Sequence, residues 1–72
     1  MENIKKQLIN FVNNPYDVII NFDIAYLYEI EEQYSTAISY YMRCAEFTDN
    51  DFLASEALLR SAICLSNQVD RE

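Results

Sequence analysis

The chain has 72 residues, which allows one small domain or a piece of a larger protein. Hydrophobic residues make up 51% of it, which excludes a disordered chain, and the absence of Gly with a single Pro favours helices over strands. Twelve acidic residues against five basic ones give a formal net charge of −7. This charge repels nucleic acid and anionic membranes, so we expect neither as a partner, and it favours a basic protein or peptide.

The N-terminus and the two cysteines bear on the cellular compartment of the protein. Residues 1–6 carry charge but no apolar core long enough for export, and no apolar run approaches the roughly 20 residues of a membrane helix. We therefore expect a cytoplasmic protein in which Cys44 and Cys64 remain reduced thiols. A disulfide between them is the alternative, and it requires the two helix faces to match.

Residues 1–14 are predicted to form a short helix. Ile4, Leu8, Phe11 and Val12 fall at helical spacing on one stripe, and about nine residues do not hold a helix in water without packing on a neighbour. Asn14 as cap, with Pro15 at the first helical position, is the expected start of the next helix.

The second helix is predicted from Tyr16 to Glu31 and is apolar on nearly every face, which is typical of a helix that is buried or bound to a partner. The β-branched residues 18–20 would suit a strand, but the alternation stops and the residues after Ala25 favour a helix. In the turn that follows, Glu32 stands where a left-handed Gly is preferred, which leaves the turn geometry open.

Two further helices complete the pattern. The third is predicted over residues 35–47, with its inner stripe at Ala37, Ile38, Tyr41 and Ala45. Thr48, with Asp51 three residues later, is the expected cap of the fourth helix. The fourth is predicted over residues 51–67, and the inward-facing residues are expected to be Leu58, Ala62 and Leu65.

The spacing of small and large residues resembles the tetratricopeptide repeat (TPR). Ile24-Ala25 stands for its Leu-Gly pair, Tyr28 for its Tyr, and Ala37 with Tyr41 for its Ala-x3-Phe. The small residues would let two antiparallel helices approach closely while the rings fill the groove beside them. The resemblance implies an all-α, right-handed stack of helical hairpins, one short helix and three longer ones. Its parts are a packing helix (1–14), a complete hairpin (15–51) and a half repeat (52–72).

Two longer runs of residues resemble a narrower group of helical repeats. Residues 37–46 (AISYYMRCAE) and 56–65 (EALLRSAICL) are similar to TPR-like repeats attached to glycosyltransferase domains of phage and bacterial proteins. There the repeats are accessory and the chemistry belongs to a separate α/β domain, so the resemblance transfers no catalytic residue. It implies a cytoplasmic setting in a bacterium or a phage-infected host.

No residue pattern indicates catalysis, a metal or a cofactor. The sequence has no His for acid–base work, and two cysteines without His make no zinc site. The run Asp49-Asn50-Asp51 matches the D-x-D motif with which glycosyltransferases hold a metal. Because no strand or Gly-rich turn accompanies it, we interpret it as a polar, helix-capping turn. Asp23, Glu29, Glu31 and Glu32 could pair as catalytic carboxylates, but we interpret them as a solvated helix face.

The sequence therefore predicts a non-catalytic protein–protein interaction or scaffold module. Its candidate interaction residues are Tyr26, Tyr34, Tyr40, Leu59 and Ile63. The last two are expected to stay uncovered because the half repeat lacks its second helix, so a second copy, a partner or later residues should cover them. One alternative is that these residues form the N-terminal accessory region of a glycosyltransferase. A reading frame that continues into an α/β domain would indicate this. A more remote alternative is an acidic mimic of nucleic acid.

Overall fold

The computed structural model describes the backbone of residues 2–71 and the side chains of residues 4–70. This part of the chain contains four helices and no strand, so the predicted all-α class is confirmed. The helices are α1 (Glu2–Asn13), α2 (Val18–Ile30), α3 (Tyr34–Phe47) and α4 (Asp51–Arg71). At 12 residues α1 is the shortest of the four helices, as expected, although the 13-residue α2 is almost as short. The 21-residue α4 continues past its predicted end at Asn67.

The helices pack on one another in chain order, α1 on α2, α2 on α3, and α3 on α4. The principal extents of the molecule are 35 × 30 × 12 Å. In a stack this thin, helices keep much of their surface outside the core, and large apolar residues remain exposed on α1, α2 and α4.

Small residues form the centre of the core. Ala25, Ala37, Cys44 and Ala57 are fully buried where neighbouring helices meet, and the ring of Tyr41 fills the space beside them. Small side chains at a contact let helix backbones approach closely, while one large ring restores the packing density. Ala25, Ala37 and Tyr41 are therefore buried as their spacing predicted, and Cys44 serves as another small buried residue. Tyr28 is half-buried.

The inward face of α4 differs from the prediction. Ala57, Ser61 and Cys64 are buried against α3, whereas Leu58 and Leu65 are about half exposed and Ala62 is exposed. The helix is therefore rotated by about one residue, or about 100°, from its expected orientation. The physical reason is the close contact with α3, which small side chains permit and leucines would prevent.

The helix starts also differ from the prediction. Pro15 and Tyr16 form a turn, and Asp17 caps α2, its Oδ1 accepting hydrogen bonds from the backbone N–H of Ile19 at 3.0 Å and of Ile20 at 3.1 Å. The carboxylate satisfies two of the free N–H groups of the first turn. Asn14, the predicted cap, lies before the turn instead, where its carbonyl accepts from the N–H of Asp17 at 3.1 Å.

At the start of α4 the cap is Asn50, whose Oδ1 accepts from the N–H of Leu53 at 2.9 Å. Thr48, the predicted cap, instead accepts from the N–H of Asn50 at 3.1 Å and orders the turn before the helix. The run 49–51 thus includes a cap residue, as the interpretation of a polar turn requires.

The turn between α2 and α3 has the left-handed residue that the repeat pattern prefers. Glu32 adopts φ 62°. The N–H of Gln33 donates to Tyr28 O and that of Glu32 to Glu29 O, each at 2.9 Å, which closes the end of α2 in a Schellman arrangement. A residue other than Gly at this φ costs about 1 kcal/mol or more, so the antiparallel packing of α2 and α3 outweighs the local preference.

Candidate interaction surface and buried polar clusters

The carboxylate of Glu29 connects three helices. Its Oε1 accepts a 2.7 Å hydrogen bond from the hydroxyl of Tyr41 on α3, and its Oε2 lies 3.2 Å from Nη1 of Arg60 on α4. The Glu29 side chain is only 14% exposed. The interpretation of Glu29 as part of a solvated face was therefore wrong, because a cation 31 residues later in the chain and a buried phenol compensate its burial.

Cys64 lies beside the same carboxylate. Burial raises the pKa of its thiol to about 11, with the charge of Glu29 and a hydrogen bond to it adding to the rise. Burial also raises the pKa of the Cys44 thiol and, together with the hydrogen bond to Glu29, that of the Tyr41 hydroxyl. Both cysteines are free and fully buried, so they act as small core residues and not as nucleophiles.

A second polar cluster ties the α1–α2 loop to α3. Arg43 donates from Nη2 to the carbonyl of Pro15 at 2.9 Å and from Nε to Oδ1 of Asn21 at 3.2 Å. Asn21 is fully buried, and its Nδ2 donates to the carbonyls of Pro15 at 3.0 Å and Asp17 at 2.8 Å. The guanidinium also lies over the ring of Phe11, 5.1 Å from the centroid.

This cluster was not predicted from the sequence. The one sequence feature that pointed to it is Asn21, a polar residue at a buried position in an otherwise apolar stretch of helix. Every polar atom named in the cluster has a partner, so the arrangement is a structural clamp.

The candidate tyrosines lie in different environments. Tyr40 is half-buried, stacked on Tyr28 with centroids 6.0 Å apart and edge-to-face with Phe11 at 5.3 Å, and burial raises the pKa of its hydroxyl. Tyr34 is half-buried at the start of α3, beside an open depression of about 240 Å³. Tyr26 is 44% exposed on α2. Of the three, Tyr26 offers the most ring surface to a partner.

Tyr26 belongs to an exposed stripe that we name the α2 face, formed by Ile19, Asp23, Tyr26 and Ile30. The spacing of four, three and four residues places them on one side of the helix. Ile19 is 57% and Ile30 58% exposed. Lys6, Gln7, Asp23, Tyr26 and Leu27 line an open depression of about 260 Å³ between α1 and this face. Burial, and secondarily the charge of Asp17, raises the pKa of the Asp23 carboxyl.

The edge of α4 adjoins the α2 face. The guanidinium of Arg60 lies 5.5 Å from the centroid of the Tyr26 ring, which joins the two helices on this side of the molecule. Ile63 follows one turn after Arg60 and is 39% exposed, and Leu59 is 56% exposed. The structure thus links Tyr26 to α4 through Arg60, whereas Tyr34 and Tyr40 share no described contact with Tyr26.

Neither a metal site nor a membrane-spanning helix is found in the part of the chain that the structure describes. No three His, Cys, Asp or Glu side chains there are placed to hold a metal ion. None of the helices described combines the length and hydropathy needed to cross a membrane.

Comparison of the chain with protein-family models, with curated proteins and with solved structures finds no match. Its function is therefore inferred from its own residues and their geometry.

Proposed function

We propose that the chain is a non-catalytic protein–protein interaction module of the TPR-like kind, which binds a protein or peptide through the α2 face and the adjoining edge of α4. The observation that carries this proposal is the α2 face. Ile19, Tyr26 and Ile30 are exposed on a helix whose other side is packed against α1 and α3. Aligned apolar residues of this size on a surface are typical of docking sites.

Support for a TPR-like hairpin comes from residues 15–51. Ala25, Ala37 and Tyr41 are buried where the repeat has its small and large residues, and Glu32 has the left-handed backbone expected between the two helices. In this proposal residues 1–14 act as a packing helix and residues 52–72 as a half repeat. The same face would serve either a free-standing module or an accessory region of a longer enzyme.

The negative charge of the chain favours a basic partner. Asp23 lies in the middle of the α2 face, with Asp17 close enough to raise its pKa, and the whole chain carries −7. A lysine or arginine of a partner, placed between two apolar anchors, would relieve the repulsion between these carboxylates. We therefore propose a basic amphipathic segment as the ligand, met in the cytoplasm of a bacterium or of a phage-infected host.

A binding experiment with matched variants tests the proposal. The chain is immobilised and offered its source-cell extract, and captured proteins are compared for the unsubstituted chain, Ile30→Asp and Val12→Asp. Ile30 and Val12 are both exposed apolar residues, but Val12 lies on α1 outside the α2 face. We expect one basic protein to be retained by the unsubstituted chain and Val12→Asp and lost by Ile30→Asp, with affinity falling as salt rises. Equal capture by all three would contradict the proposal.

A further inference from the structure

A second apolar stripe runs along α4, away from the α2 face. Leu58, Ala62, Leu65 and Val69 recur at spacings of four, three and four residues, which aligns them on one side of the helix over about 16 Å. Leu58 is 48%, Leu65 55% and Val69 61% exposed, and Ala62 is exposed. We name these four residues the α4 stripe.

The α4 stripe is electrically neutral in a strongly acidic chain. Leu59, Ser66 and Gln68 flank it without charge, while Asp70 follows Val69 at its C-terminal end. With −7 on each chain, two copies repel one another over most of their surface, and the repulsion is least where neutral surfaces meet. A basic partner finds no carboxylate on this stripe, so its charge favours a second copy of the chain over the ligand proposed for the α2 face.

The order of side-chain sizes is self-complementary. If two α4 helices cross antiparallel about a two-fold axis midway between residues 62 and 65, Leu58 of one copy faces Val69 of the other. In the same arrangement the small Ala62 of each copy faces the large Leu65 of the other, so the two side chains can interlock. A two-fold contact needs this kind of self-matching surface.

We infer that α4 pairs antiparallel with the α4 of a second copy of this chain through Leu58, Ala62, Leu65 and Val69. The contact uses a face of α4 other than the one that adjoins α2, so it stands or fails independently of partner binding. Four side chains cover less than the roughly 800 Å² per partner of a standard interface. The dimer is therefore weak and depends on concentration.

Sedimentation equilibrium from about 10 μM to about 1 mM measures the association. The variants are Leu58→Lys and Val69→Glu, and circular dichroism verifies the helical fold of each. Alone, each variant should dissociate at least about tenfold more readily than the unsubstituted chain, because a charge at position 58 or 69 meets an apolar side chain. Mixed one to one, they should recover most of the lost association, because antiparallel pairing places Lys at position 58 opposite Glu at position 69.

The control is Val12→Glu, which puts a charge on an exposed apolar position of α1 and should leave the association unchanged. If a charge at position 58 unfolds the chain, Leu65→Ala takes its place with the expectation of weaker association. A chain that stays monomeric at about 1 mM, a dimer that both single variants retain, or a mixture that stays monomeric would overturn the inference. Restoration by mixing would also exclude parallel pairing, in which position 58 faces position 58.

Discussion

The hydroxyl of Tyr41 on α3 donates a 2.7 Å hydrogen bond to Glu29 Oε1 on α2. The other oxygen of the same carboxylate accepts from Arg60 of α4 at 3.2 Å, so one side chain holds the three helices in register. A hydrogen bond to a charged group contributes about 1.5–3 kcal/mol, more than a neutral one. The Tyr41–Glu29 pair should therefore be one of the strongest single polar contacts in the fold.

Substituting Tyr41 by Phe removes this bond and keeps the ring. We expect the free energy of unfolding to fall by about 1.5–3 kcal/mol, because Glu29 keeps its charge with one partner fewer. Tyr16→Phe is the matched control, since Tyr16 is 68% exposed and its ring contact with Phe47 does not need the hydroxyl. Urea unfolding measures both, and equal losses in the two variants would refute a special role for the Glu29 bond.

Substituting Ser61 by Ala should stabilise the chain. Ser61 is 8% exposed in the α3–α4 contact, and its Oγ is buried with no hydrogen-bond partner in the part of the chain described. Removing an unsatisfied buried hydroxyl and gaining helix propensity should together add about 1–2 kcal/mol. Ser66→Ala on the exposed side of α4 gains propensity alone, about 0.5 kcal/mol. A thermal melt in which Ser61→Ala gains no more than Ser66→Ala would contradict this account.

Arg43 and Arg60 should respond differently to replacement by Lys. The guanidinium of Arg43 bonds Pro15 O and Asn21 Oδ1 through separate nitrogens and lies over Phe11, so an ammonium cannot reproduce the set. We expect Arg43→Lys to cost about 1–2 kcal/mol of unfolding free energy.

Arg60→Lys serves as the comparison, because Arg60 reaches Glu29 through Nη1 alone, and an ammonium could keep both that ion pair and a cation near the exposed Tyr26 ring. Chemical denaturation of the two variants gives the difference. A loss for Arg60→Lys as large as for Arg43→Lys would contradict the geometric argument.

Features of the fold that depend on nearby residues could be predicted from the sequence, whereas contacts between residues far apart in the chain could not. Ala25, Ala37 and Tyr41 were identified because small and large residues at fixed spacing along neighbouring helices report a local hairpin. Glu29 was misassigned, because its partner Arg60 lies on a later helix and no local pattern pairs them. The orientation of α4 was wrong for a related reason. Hydropathy favoured Leu58 as core, but the distance between α3 and α4 selects small residues.

For the candidate site, Tyr26 and Ile63 were identified from the sequence as surface residues, but the link between Tyr26 and α4 was not. That link is the guanidinium of Arg60 over the Tyr26 ring, which is a tertiary contact. Tyr40 was included because a tyrosine alone does not reveal whether another ring covers it, and Phe11 and Tyr28 do.

The thiols should make stability fall in alkali. The pKa of Cys64 is raised in the fold to about 11 from an ordinary 9.0, so the folded state retains this proton more tightly than the unfolded state. The contribution is complete below about pH 9 and is lost as the pH rises through about 11. Denaturant unfolding at pH 8 and pH 10.5 measures the loss, and Cys64→Ala should make it smaller. An unchanged loss in that variant would contradict a contribution from Cys64.

The central claim is that the α2 face contacts a protein partner, and site-specific photocross-linking in the source cells tests it most directly. A photoreactive phenylalanine analogue is placed at position 26 or 30 of the full chain and, as a control, at position 12 on α1. The account predicts a covalent adduct with the same basic protein from positions 26 and 30 and none with it from position 12. No adduct from positions 26 and 30, or the same adduct from position 12, would contradict the claim.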